Sequence, residues 1–246
     1  MLALNSELLD LYWNFYFKNI PINLEDKKIL AKLFNNIQIP IKVSTHQNQR
    51  FKNPQLIKQQ GYFFKITNKN SDEELIQSTI LKLMLVNKFS KIKATTVNIL
   101  NNSEKLQLKY GGTYLNSLDK YKAQQHIKYL LSDASWIKVI DSYIDNNTSQ
   151  WNENKKLLKD IIPFKKFDLK IESGSMRDRR QAISKDKQDE LNSICKDWDI
   201  GAIQYNDNIR HDRYIETNKL KILLSGGLYN LSSSSKKDFT YVIEIK

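Results

Sequence analysis

The segment Arg210-His211-Asp212-Arg213 sets an imidazole close to two guanidinium groups in a stretch that reads as a short strand. Side chains alternate along a strand, so His211, Arg213 and Ile215 should share one face and Asp212, Tyr214 and Glu216 the other. An imidazole beside a guanidinium is a phosphate-handling pair. The guanidinium can hold two phosphate oxygens at once, and an imidazole with a pKa near ~6.5 can act as nucleophile or proton donor. Further along, Ser225-Gly226-Gly227-Leu228-Tyr229-Asn230 places a glycine turn after a strand, which lets backbone approach a ligand closely. The competing reading is an edge-strand histidine in a surface ion-pair cluster with Asp212 and Glu216. Spacing alone leaves both open.

Arginine usage points to the same region. The chain holds six arginines, and five of them (Arg177, Arg179, Arg180, Arg210 and Arg213) fall within 37 consecutive positions. Elsewhere the chain uses lysine, so arginines kept together suggest planar, two-point recognition of an anion that an ammonium cannot supply. Arg177, Arg179 and Arg180 should lie in a loop leading into a helix, where side chains and a helix N-terminus could both meet a phosphate. Local pairing with Asp178 and Asp212 is the alternative. Tyr205, Tyr214 and Tyr229 could stack on bases or simply pack.

Thirty-nine Lys and Arg against 27 Asp and Glu give a net charge of +12, which favours a polyanionic partner, nucleic acid ahead of an anionic membrane. The joint abundance of Lys, Asn and Ile could equally reflect an AT-rich genome. Cys195, the single cysteine, has no internal disulfide partner, and the N-terminus lacks the pattern of a secretory signal. No stretch reaches the roughly 20 apolar residues that span a bilayer. These features predict a cytoplasmic protein that is soluble or at most peripheral to a membrane.

The elements that must position these residues fall into two parts. Residues 1–112 read as a mostly helical, α+β interaction or docking domain with short strands. Ser6 should cap a helix running through LLDLYWNFYF, where Leu9, Tyr12, Trp13 and Tyr16 form a packing stripe or a partner interface, and another helix runs over LEDKKILAKLF. Ser71-Asp72-Glu73-Glu74 is a capping box that should open a helix through LIQSTILKLMLVNKF. Short strands are expected at IPIKVST and GYFFKIT, with a boundary at the breaker pair Gly111-Gly112. Residues 113–246 alternate helices over 118–131, 151–162 and 181–196 with strands at 136–140, 167–171, 202–205, 211–216, 220–224 and 239–245. That order is an α/β mixed sheet flanked by helices. Ligands of such sheets collect at the carboxyl ends of strands.

The run IRHDRYIETNKLKILLSGGLYN resembles the signature of the phospholipase D-like superfamily: His-x-Lys, four residues, Asp, then a Gly/Ser turn closed by Asn. WIKVIDSYID upstream is similar to the opening of bacterial members and of the phospholipase D-like domains that follow MIT domains. The resemblance covers about residues 112–246. It puts the nucleophilic histidine on His211, the phosphate-binding lysine on Arg213, the aspartate on Asn218, the turn on Gly226-Gly227 and the closing asparagine on Asn230. It implies a phosphate-bearing polyanion such as nucleic acid as ligand, in a bacterial defence or mobile-element system. Asparagine for aspartate and a single motif copy weigh toward binding with little or no catalysis. The alternative is a metal-independent phosphodiesterase, or nuclease, formed as a homodimer with a phosphohistidine at His211. A further alternative is an adaptor that joins a larger assembly through its N-terminal half, or a peripheral lipid-binding module. No cofactor and no metal are implied. His46 and His126 carry no matching motif and should be surface or packing residues.

Overall fold

In the computed structural model, residues 2–18, 20–36, 41–49, 64–88, 95–101, 105–109, 112–117, 119–173, 181–201, 213–232, 234–235, 237 and 239–246 are described. The chain divides into two units, Met1–Leu108 and Lys109–Lys246, close to the expected boundary.

Among the described residues of the first unit, helical residues outnumber strand residues and the strands are short, but those strands form one parallel sheet, which makes the unit α/β where α+β was expected. In chain order it runs β1 (Leu2–Leu4), α1 (Ser6–Lys18), α2 (Leu24–Asn36), β2 (Ile41–Ser44), α3 (Thr45–Gln49), β3 (Phe64–Thr67), α4 (Asp72–Ser78), β4 (Met84–Val86) and β5 (Thr96–Asn98). The strands pair in the order β3-β2-β1-β4-β5, every described pair parallel. This is α/β architecture, with helices described between most consecutive strands, and strands of three or four residues are too short to show a clear alternation. Leu2, Ala3 and Leu4 are all buried, which removes the period-two signal that marks a half-exposed strand.

The helix expected through LIQSTILKLMLVNKF stops at Ser78, and Met84–Val86 is strand β4. Its start is as expected, because Ser71 Oγ accepts a hydrogen bond from the Glu74 N–H. Its end is taken over by competing donors. Ser78 Oγ donates to the Leu75 carbonyl at 2.6 Å, Thr79 Oγ1 to Ile76 at 2.8 Å, and Lys42 Nζ to Ser78 at 2.6 Å. Side chains that satisfy the last carbonyls remove the reason for another turn. Helix α1 begins as expected, but Asn5 caps it by accepting from the Leu8 N–H at 3.1 Å. Leu9, Tyr12 and Trp13 of its stripe are buried, and Tyr12 meets Phe34 of α2 at 5.8 Å between ring centres.

The second unit is the expected mixed sheet. Its elements are β6 (Lys105–Lys109, at the division), β7 (Gly112–Ser117), α5 (Lys120–Leu131), β8 (Trp136–Ile140), α6 (Thr148–Ile161), β9 (Phe167–Ser173), β10 (Gln181–Ala182), α7 (Lys185–Ile194), β11 (Trp198–Gly201), β12 (Tyr214–Thr217), β13 (Leu220–Leu224), a 3-10 turn (Leu228–Leu231) and β14 (Phe239–Ile245). Its strand order is β10-β9-β8-β12-β13-β14-β7-β6, with β11 also paired to β9. Strands β8, β9 and β11 are parallel, and β12, β13, β14 and β7 are antiparallel. Gly112, expected in a linker, opens β7, and Gln181–Ala182, expected as helix, is a strand ahead of α7.

One face of this sheet is apolar. Ile137, Val139, Leu169, Ile171, Ile215, Ile222, Tyr241 and Ile243 are buried, while alternating Lys138, Lys170, Glu216, Lys221 and Glu244 are partly exposed. Period-two alternation of this kind fits a sheet with one packed face. Helix α5 seals it through His126, whose Nδ1 lies 2.6 Å from the Tyr241 hydroxyl in the core, so His126 is a packing residue. His46 is exposed on α3. Helix α7 is tied to α6 through Glu190, which accepts from Trp151 Nε1 at 3.0 Å and pairs with Lys155.

Candidate functional site

Arg213, Asp141 and Gly227 meet because three strands end or begin at one edge of the second sheet. Strand register pairs Tyr214 with Ile140, so the next positions outward, Arg213 and Asp141, face each other. The Leu224 N–H donates to the Arg213 carbonyl at 2.8 Å, which brings the end of β13, and the Gly226-Gly227 turn after it, to the same place. This is the carboxyl edge of the parallel strands β8 and β9. Ile215 is buried in the apolar face, so Arg213, two residues earlier, belongs to that face, while Tyr214 lies on the other.

Arg213 is held on two sides. Its Nε lies 3.7 Å from Asp141 Oδ1, and its guanidinium carbon sits 4.8 Å from the centre of the Tyr143 ring. The side chain keeps 27% of its surface exposed, against 2% for that of Asp141. Asp212, the local partner considered from the sequence, lies outside the described residues, and the described contact of Arg213 is with Asp141. The carboxylate comes from a distant strand.

Asp141 is the residue that sequence reasoning passed over. Its Oδ2 accepts from the Leu228 N–H at 2.6 Å and its Oδ1 from the Tyr143 N–H at 3.0 Å, so one carboxylate pins the turn after β8 to the turn after β13. Burial pushes its pKa above the usual carboxylate value, and nearby Asp145 adds to the rise. The two backbone N–H groups and Arg213 pull the other way without cancelling it. The turn that carries it is itself fixed: buried Asn154 of α6 donates to the Ile144 carbonyl at 2.7 Å, and Lys187 pairs with Asp145 at 2.6 Å. The only sequence signal for Asp141 was an acid closing an apolar strand.

The glycines are required by the geometry. Gly226 and Gly227 have φ of 75° and 87°. A β-carbon on Gly227 would stand 2.6 Å from Asp141 Oδ2 and 3.0 Å from Arg213 Cδ. One on Gly226 would collide with the Asn230 amide. Asn230 closes the turn, donating its N–H to the Gly227 carbonyl at 3.3 Å and accepting from Ser235 Oγ at 3.3 Å. Lys120 Nζ donates to the carbonyls of Asn230 and Lys237.

Asn218 is elsewhere. It lies in the β12–β13 turn, past the far end of β12 from Arg213, a span of roughly 16 Å at strand rise. Its Oδ1 accepts from the Ser135 N–H at 3.0 Å, fastening that turn to the start of β8. The structure therefore separates Asn218 from Arg213 and the Gly226-Gly227 turn, with which the motif had grouped it. His211, Arg210, Arg177, Arg179, Arg180 and Tyr205 lie outside the described residues. Tyr214 is buried, with Lys221 Nζ 4.3 Å from its ring centre.

Among the described residues, no group of three His, Cys, Asp or Glu side chains could hold a metal ion, and no helix is long and apolar enough to cross a membrane. No protein-family model matches the chain, and no curated protein matches it.

Proposed function

We propose that the unit of residues 109–246 is a phospholipase D-like module that binds a phosphate-bearing polyanion, nucleic acid foremost, at the edge occupied by Arg213. One observation carries this reading: a partly exposed guanidinium is braced by Asp141 and Tyr143 and backed by a two-glycine turn that packs directly against Asp141 and Arg213. A braced guanidinium loses little freedom on binding and presents a fixed fork to two phosphate oxygens. The net charge of +12 adds long-range attraction for the same ligand class. By its resemblance to bacterial members of that superfamily, the module belongs to a defence or mobile-element system.

The test is anisotropy titration of single- and double-stranded DNA and RNA at several salt concentrations. Affinity should fall steeply with salt. Arg213→Ala should weaken binding by about 1.5–3 kcal/mol, and Arg213→Lys should recover only part of it, since an ammonium lacks the planar fork. Unchanged affinity in Arg213→Ala would sink the reading.

A second reading, a metal-independent phosphodiesterase, gains from two placements. Asn218 is remote, so its missing carboxylate says nothing about the site, and Asp141 supplies a buried carboxylate beside Arg213. In this reading His211 attacks phosphorus, and a second copy of the chain supplies the proton for the leaving group. Nuclease activity in EDTA that disappears in His211→Ala supports it. Activity that survives the substitution excludes it.

A further inference from the structure

We infer that anion binding at Arg213 is linked to a proton on Asp141: ionised, the carboxylate holds the guanidinium's charge, and protonated, it yields that charge to the incoming phosphate. The inference rests on the anion-binding reading and adds its regulation.

The geometry leaves the carboxylate nowhere to go. Asp141 is 1% exposed, with Oδ2 fixed by the Leu228 N–H and Oδ1 by the Tyr143 N–H. Gly227 packs against it so closely that even a β-carbon would meet Oδ2 at 2.6 Å. Ligand binding therefore cannot proceed by swinging Asp141 away from Arg213. Its negative charge can be removed only by a proton, and both backbone donors can still be accepted by a protonated carboxyl group.

Among the described residues, the charged groups around Asp141 are few. Arg213, just ahead of strand β12, lies at 3.7 Å, and the turn after β8 contributes Tyr143 and Asp145, the latter paired with Lys187 of α7. Strand β9 contributes Glu172, whose carbonyl accepts from the Asp141 N–H and whose side chain pairs with Lys138 at 2.7 Å. The 3-10 turn offers backbone N–H only. Burial already raises Asp141 above the usual carboxylate range. A phosphate arriving at Arg213 adds negative charge beside it and competes for its counter-ion, which raises it again. Binding then takes up a proton, and affinity falls as pH rises through the interval between the free and bound values. Each unit by which the anion raises Asp141 corresponds to about tenfold in affinity between the acid and alkaline limits.

The experiment follows binding of a fluorescein-labelled oligothymidylate to the full chain across pH, with calorimetry in two buffers of different ionisation enthalpy to count protons. Wild type should lose about tenfold in affinity as pH rises and should take up protons on binding. Asp141→Asn should abolish the slope and bind at alkaline pH at least as tightly as wild type. His211→Ala should keep the slope, which separates the carboxylate from the imidazole. Binding that needs Arg213 yet takes up no proton overturns the linkage alone, as does a slope retained in Asp141→Asn or lost in His211→Ala. If Asp141→Asn fails to fold, proton uptake by His211→Ala decides. If Arg213→Ala binds as well as wild type, the anion-binding reading itself falls.

Discussion

Gly227 shows how tightly the candidate site is built. Its φ of 87° disfavours any side chain, and a β-carbon would press on both Asp141 and Arg213. Gly227→Ala should therefore cost about 1–3 kcal/mol in a urea melt and weaken oligonucleotide binding as well, because the same contact displaces the guanidinium. Asp141 gives a pH signature of its own. Its pKa is raised by burial, so the folded state binds its proton more tightly than the unfolded chain. Its contribution to stability is thus full below the ordinary carboxylate value of 3.8 and is lost as pH rises through the raised value. Asp141→Asn should flatten that part of the stability–pH curve measured by urea denaturation. Arg213 and the glycine pair were legible from residue type and spacing. Asp141 was not, because a single acid at the end of an apolar strand gains meaning only from what lies across the register.

The turn between β12 and β13 separates element-scale roles from site chemistry. Asn218 fastens it to Ser135, and Thr217 Oγ1 accepts from the Lys219 and Leu220 N–H groups at 3.1 Å each. Asn218→Ala should cost about 1 kcal/mol of stability in the same melt and leave the salt dependence of oligonucleotide binding unchanged. Helix α4 tests whether a local signal read from sequence governs folding. Ser71→Ala removes the acceptor for the Glu74 N–H and should cost about 0.5–2 kcal/mol by thermal or urea unfolding. The start of α4 was readable because a capping box is local. Its end was not, because ILKLMLV offers apolar residues that suit a buried strand as well as a helix. Carbonyl-capping side chains, one of them Lys42 from another strand, made the choice.

The whole molecule consists of two α/β units, Met1–Leu108 and Lys109–Lys246. Every described residue of the candidate site comes from the second: Asp141, Tyr143, Arg213, Gly226, Gly227 and Asn230. Residues 109–246 expressed alone should therefore retain Arg213-dependent binding of oligothymidylate by anisotropy.

The sequence by itself determined the two-part division, the mixed character of the second sheet, the run from β12 to β14 and the candidacy of Arg213 and the glycine turn. These follow from local causes: alternation on a half-covered sheet, glycine before a turn, and a rare residue type in one region. Tertiary structure alone decided that the first unit is a parallel sheet, that Asn218 braces a distant turn, and that Asp141 is Arg213's partner. Parallel strands buried on both faces carry no period to read. A contact between a strand's end and a residue far along the chain depends on which strands lie side by side, and register in the folded sheet is the only thing that sets it.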